Sequence, residues 1–186
     1  MAITPELAQT VFDRADCLFD QAEVRLALDN MVGALGDRLK GRNPLVLCVM
    51  TGGIVVTSEL ALRLPFPLEI DYVHATRYGD LTRGGQLKWI VEPRKSLAGR
   101  TVLVVDDILD EGQTLGAIMD YCRAKGAKEA ISSVLVDKQH DRKQGLKKAD
   151  FAGLNVPDRY VFGYGMDYKG YWRNAPGIYA AQTQDE

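Results

Sequence analysis

Hydrophobic positions along this chain fall into two textures, and the change between them falls near residue 45. Before it, Val24, Leu28, Met31, Val32, Leu35 and Leu39 recur at helical spacing, which predicts an amphipathic helix ended by Gly41-Arg42-Asn43-Pro44. Upstream, Thr4 as a cap, Pro5 at the first helical position and Glu6 at the positive end predict another helix, so the first forty residues read as helical. After it, Leu45 to Met50 is a short continuous apolar run, as expected of a strand buried on both faces. Thr51-Gly52-Gly53 follows as a tight turn, then Ile54 to Leu64 as a helix stopped by Pro65-Phe66-Pro67.

Further strands are predicted over Leu68 to Thr76, Gln86 to Val91, Thr101 to Val105 and Ala130 to Val136. A helix over Gln113 to Lys125 turns Leu115, Ile118, Met119 and Cys122 inward and ends at Gly126. Strand, helix and strand in succession predict an α/β fold, a parallel sheet flanked by helices and joined by right-handed crossovers. Between two of the strands, Arg77 to Gly85 is polar and glycine-rich, a candidate mobile loop. The tail from Asp150 reads as short strands and turns rich in Tyr and Gly.

Composition removes several functions. The chain has 186 residues, enough for one domain without disulfides or structural metal. Its formal net charge of -2 gives no field that would hold a nucleic acid. The most apolar window, Leu45 to Leu64, contains Thr51, Ser58, Glu59 and Arg63, so no membrane span is expected. The N-terminus carries neither the basic nor the apolar region of a secretory leader. Cys17, Cys48 and Cys122 lie far apart without metal-ligand spacing, and reduced thiols suit a cytoplasmic setting.

The chemistry is concentrated in Val102-Leu103-Val104-Val105-Asp106-Asp107-Ile108-Leu109-Asp110-Glu111-Gly112-Gln113-Thr114. A buried strand ends in two carboxylates, a short turn carries Asp110, Glu111 and Gly112, and a helix then opens at Gln113-Thr114. Ligands of open α/β sheets bind beyond the carboxyl ends of strands. The amides of such a turn and of the first helical turn favour an anion, and Thr114 adds a hydroxyl donor. Asp106 and Asp107 cannot themselves hold a phosphate; as acceptors they suit sugar hydroxyls or a hard cation. A ligand with a phosphate, a diol and a Mg²⁺-bound pyrophosphate satisfies all of these groups, and phosphoribosyl pyrophosphate (PRPP) is that ligand.

This segment resembles the PRPP-binding motif of type I phosphoribosyltransferases. Its start, Val102 to Asp107, is also similar to the first acidic strand of response-regulator receiver domains. Receivers have no use for the Gly112-Gln113-Thr114 turn, however, and Asp137-Lys138 gives only a crowded approximation to their later motif. Three other segments, in the family's order, resemble hypoxanthine-guanine phosphoribosyltransferases of bacterial type. Thr51-Gly52-Gly53 is similar to the pyrophosphate loop, with Thr51 where many members have Lys. Lys148-Ala149-Asp150-Phe151 resembles the segment whose Lys donates to the purine O6. Pro157 to Tyr168, with Tyr171-Trp172-Arg173 after it, resembles the base-binding segment.

The resemblance implies the type I fold as a single domain, with a core from about residue 45 to 140 and a small hood built from about 1–40 and 148–186. It implies transfer of ribose 5-phosphate from PRPP to a 6-oxopurine with Mg²⁺, in a homodimer or homotetramer. Asp110 would take the proton from the purine. Asp106, Asp107, Glu111, Gly112, Gln113 and Thr114 would bind ribose phosphate, the Glu111 side chain turning away so that only its amide serves. Thr51, Gly52, Gly53 and Arg173 would face pyrophosphate. Lys148, Tyr160, Val161 and Asp167 would face the base, and Asp106, Asp107 and Asp167 the metal. Tyr78 would belong to a lid. Two other readings stay open: a PRPP-sensing regulator on the same fold, and a xanthine-preferring enzyme.

Overall fold

The computed structural model describes residues 3–77 and 87–185. Among them the order of elements is α1 (Pro5–Arg14), β1 (Asp16–Phe19), α2 (Gln21–Leu39), β2 (Leu45–Met50), α3 (Gly53–Arg63), β3 (Glu69–Arg77), β4 (Leu87–Val91), β5 (Thr101–Leu109), α4 (Gln113–Ala124), β6 (Glu129–Gln139), β7 (Phe151–Pro157), β8 (Val161–Phe162), β9 (Ile178–Ala180) and a closing 3₁₀ turn. Six strands form one sheet in the order β4-β3-β2-β5-β6-β7. All pairs are parallel except β3 with β4. The fold is therefore a mostly parallel sheet flanked by helices.

The apolar runs account for the layering. Along β5, Leu103 and Val105 pack with Leu28, Met31 and Leu35 of α2 and Val56 and Leu60 of α3. The alternate residues Val102 and Val104 pack with Leu115, Ile118 and Met119 of α4. A strand covered on both faces has no polar positions to spare, hence the unbroken Leu45–Met50 and Thr101–Val105 runs. β5 nevertheless continues past Val105. Asp106, Ile108 and Leu109 pair with Val134, Val136 and Asp137 of β6, so the acid pair sits inside the strand's last turns rather than after it.

Two expectations are corrected. The first forty residues are not all helical: Asp16 and Cys17 pair antiparallel with Ala180 and Tyr179. β1 exists because a partner some 160 residues away completes it, and no local pattern reports that. Asp20 then caps α2, accepting from the amides of Ala22 and Glu23 while Glu23 reaches back to the Asp20 amide. The division into core and hood also differs from 45–140 against the two ends. α2 packs on the main sheet through Val24, Leu28 and Leu35, and β7 is its edge strand. The smaller sheet is β1-β9-β8, held to α1 by an aromatic cluster in which Phe12 stacks on Trp172 at 4.3 Å and the Trp172 indole donates to the Ala8 carbonyl at 2.7 Å.

Candidate active site

The carboxyl ends of β2 and β5 open into a cavity of about 370 Å³ lined by Met50, Gly52, Asp106, Asp107, Asp110 and Glu111 to Thr114. A second of about 290 Å³ adjoins it, lined by Lys138, Tyr160, Val161, Met166 and Asp167, and shares Asp107, Ile108 and Asp110 with the first. Strand β5 thus forms the wall between two compartments.

The first compartment is built mainly from backbone. Gly112 has φ +75, and a Cβ there would lie 2.1 Å from the Leu146 carbonyl oxygen. Glycine at this position lets the turn touch the β6–β7 connector. The contact is a hydrogen-bonded seam: the amides of Gln144 and Gly145 donate to the Glu111 carbonyl at 3.0 and 3.1 Å, and the Leu146 amide to Gly112 at 2.9 Å. With those carbonyls held from behind, the amides at the start of α4 face the cavity, where the helix dipole favours an anion. The Glu111 carboxylate accepts from the Gln113 side chain at 3.3 Å, and Gln113 also donates to Gln144 at 2.7 Å.

Across the cavity, a Cβ at Gly52 would fall 1.9 Å from an Asp107 carboxylate oxygen, so the Gly52-Gly53 turn rests against Asp107. Thr51 is exposed, and the peptide before it is cis. Burial pushes the Asp106 carboxyl well above the ordinary carboxylate range, and the Asp107 charge adds to the rise. Asp107 is raised by burial too, against the pull of its hydrogen bonds with Asp106 and the Ile108 amide. Two acids that resist losing both protons are a place where a cation is favourable. Among the described residues no three acidic, histidine or cysteine groups converge as a metal cage. A carboxylate pair completed by substrate phosphates is, however, the ordinary way Mg²⁺ is held, so the donor set fits that ion. Arg173 bonds Asp167 at 2.6 Å and the Gly165 carbonyl at 2.6 Å, and its guanidinium comes within 4.0 Å of Asp107.

The second compartment brings Tyr160, Val161 and Asp167 together with Asp110. Tyr160 meets Tyr168 edge to face at 5.3 Å. Asp110 is held by two donors: Lys138 Nζ on Oδ2 and His140 Nε2 on Oδ1, each at 2.7 Å. Burial pushes the Asp110 carboxyl up, but these two donors outweigh it and bring it below its usual value.

Lys148 is not in this compartment, which corrects the sequence expectation. It is exposed and precedes β7, whose first residue Phe151 pairs with Ser133. Lys138 pairs with Val156, five residues further along the same two strands, or about 16 Å at roughly 3.3 Å per residue. The lysine of the second compartment is Lys138, nine-tenths buried at the carboxyl end of β6. A signal for it was in the sequence: Asp137-Lys138 closes an apolar strand just as Asp106-Asp107 does. His140 carried no such signal. Tyr78 and the rest of its loop lie outside the described residues.

A mostly parallel sheet with a glycine turn, an acid pair and a two-part pocket at its strand ends defines an α/β protein with its candidate site beyond the carboxyl ends of its strands. Comparison with known proteins makes the class specific. The chain belongs to the phosphoribosyl transferase domain family, which it matches over residues 17–169. It is 33% identical over 162 residues to the hypoxanthine-guanine phosphoribosyltransferase of Bacillus subtilis, covering 87% of this chain and 89% of that protein. It also matches the bifunctional protein TilS/HprT of Listeria monocytogenes at 35% identity, and spans about a quarter of that relative's length. Among solved structures, the hypoxanthine phosphoribosyltransferase of Trypanosoma cruzi in complex with IMP superposes with a TM-score of 0.84 at 25% identity, covering 92% of this chain and 94% of that one. The hypoxanthine phosphoribosyltransferase of Staphylococcus aureus shares the fold, with a TM-score of 0.86 over 91% and 92% of the two chains. Among the described residues no helix is long and apolar enough to cross a membrane.

Proposed function

We propose that this protein transfers ribose 5-phosphate from PRPP to hypoxanthine or guanine, giving IMP or GMP and pyrophosphate, as a cytoplasmic homodimer or homotetramer. One observation carries the reading: Asp110 stands in the wall shared by the compartment at the start of α4 and the one lined by Tyr160, beside a buried lysine. The 5′-phosphate is gripped by the amides from Glu111 to Thr114, and the ribose hydroxyls by Asp106 and Asp107. The Gly52-Gly53 turn and Arg173 face the pyrophosphate. Asp106 and Asp107 would hold Mg²⁺, with Asp167 close by; the ion, when bound, neutralises charge on the leaving pyrophosphate.

The base lies against Tyr160. Lys138 is a donor only, so it accepts a 6-oxo group and opposes the 6-amino group of adenine. Asp110 is an acceptor placed to take the proton at purine N7 as the ring attacks the ribose carbon, a step for which a positioned base contributes roughly 10²- to 10⁴-fold. Hypoxanthine, guanine, xanthine, adenine and uracil, each offered with PRPP and Mg²⁺ in a pyrophosphate-release assay, test this directly. Turnover is expected with the first two and not with adenine or uracil. A preference for adenine, or no release with any base, overturns the reading; a preference for xanthine replaces hypoxanthine and guanine as substrates.

A further inference from the structure

Asp110 is held from two sides, and only one of them faces the cavities. Lys138 lines the base compartment; His140 lines neither compartment and its side chain is 4% exposed. His140 stands behind the carboxylate, with Nε2 2.7 Å from Oδ1. Its other nitrogen is also committed: the Arg142 amide donates to Nδ1 at 3.0 Å. A nitrogen that accepts an N–H presents a lone pair, so the ring proton sits on Nε2 and points at Asp110. The geometry therefore supplies an N–H donor to Asp110 from the side away from the cavities. Lys138 shares Asp110 with the ring, and Arg142, whose amide donates to it, is ion-paired with Asp158.

We propose that His140 is a positioning residue for Asp110. Its Nε2–H fixes one carboxylate oxygen, so that the carboxylate keeps its aim when Lys138 turns from Asp110 to the oxo group of an incoming base. This rests on the function proposed above. Both Asp110 oxygens have donors. A base that recruits Lys138 loosens one of them, and the His140 bond, made from outside the cavity, is the one that base binding leaves intact. A carboxylate free to rotate would meet the purine proton in fewer of its orientations, which reduces turnover rather than PRPP binding.

Three variants separate this role from a structural one. His140→Leu fills the space without a donor, His140→Gln places an amide N–H near the position of Nε2, and His140→Asn is polar but too short to reach. His140→Leu should lower kcat with hypoxanthine roughly tenfold, the scale of one hydrogen bond to a charged group, with the KM for PRPP unchanged. His140→Gln should restore most of the loss and His140→Asn should not. Equal kcat for Gln and Asn overturns the proposal even if the Leu variant fails to fold. So does a loss seen only in the KM for PRPP. Nitrogen NMR of the imidazoles gives a second readout, since His74 is the only other histidine: a proton on Nδ1 of His140 overturns the geometry. Wild-type protein that releases no pyrophosphate overturns the underlying function, an outcome distinct from an active enzyme indifferent to residue 140.

Discussion

The turn from β5 into α4 and the connector from β6 to β7 meet at one seam, yet they are built on different principles. In the turn, Asp106 to Thr114 act through nearest neighbours. Asp106 accepts from the Asp107 amide at 2.9 Å, Asp107 from the Ile108 amide at 2.8 Å, and the helix start aims the rest. In the connector, the working contacts span long stretches of chain. Lys138 and His140 reach Asp110 across 28 and 30 residues, and Gln144, Gly145 and Leu146 hold the carbonyls of Glu111 and Gly112. One region supplies a binding surface by its own conformation. The other fastens that surface at both ends, by side chains at Asp110 and by backbone at Glu111 and Gly112.

The strongest challenge to this division is Asp110→Asn, which keeps the shape of the shared residue and removes its basicity. We expect kcat to fall by roughly 10²- to 10⁴-fold while the KM for PRPP stays near its original value. Steady-state kinetics with hypoxanthine will measure both. An unchanged kcat would remove Asp110 from the chemistry and leave the turn as a phosphate site alone.

Next in size is Lys138→Met, which attacks the connector's contribution to the base compartment. Losing a charged donor to the oxo group should raise the KM for hypoxanthine about 10- to 100-fold. A second effect has a definite sign. Burial pushes the Asp110 carboxyl up, and Lys138 with His140 brings it below its ordinary value. Without Lys138 the pull weakens and the carboxyl rises. The acid limb of kcat/KM, which reports the ionised base, should therefore move to higher pH. A limb that moves to lower pH would contradict the ion pair.

Gly112→Ala tests the seam itself. A non-glycine residue at φ +75 costs about 1–2 kcal/mol, and the added methyl lies 2.1 Å from the Leu146 carbonyl oxygen, so turn and connector must part. Thermal melting should show a Tm lower by about 3–6 °C, with a raised KM for PRPP. A variant with wild-type melting and kinetics would show that the two regions are not braced against each other.

How much of this was legible beforehand follows from the same contrast. In the β5–α4 segment the apolar run, the glycine turn and the helix start could be read locally, but not that β5 runs on through the acid pair to Leu109, which its pairing with β6 decides. Strand β2 and the 102–105 part of β5 were readable because burial on both faces leaves no polar position there. β1 was not, since only β9 makes it a strand. The lysine was misplaced because the connector's path, not its composition, decides which lysine reaches the second compartment. Asp137-Lys138 marks a strand end, Lys147-Lys148 marks the start of the next strand, and in a parallel sheet these lie at opposite edges. His140 was out of reach altogether: only the folded chain brings it between Asp110 on one side and the Arg142 amide on the other.

The smallest expected effect is therefore also the most pointed. Lys148 has the same chemistry as Lys138 and lies ten residues later, but it is exposed and sits at the amino-terminal edge of β7. Truncating a solvated lysine away from any paired group changes stability by no more than about 0.5 kcal/mol, and nothing in the base compartment depends on it. Lys148→Ala should leave kcat, the KM for hypoxanthine and the KM for PRPP each within about twofold of wild type, a change below 0.5 kcal/mol on the scale of 1.4 kcal/mol per tenfold. Measured beside Lys138→Met, it separates position from composition. If instead Lys148→Ala raises the KM for hypoxanthine tenfold and Lys138→Met does not, the connector crosses the sheet edge by another route in the working enzyme. The Lys138–Asp110–His140 cluster would then belong to the resting state alone.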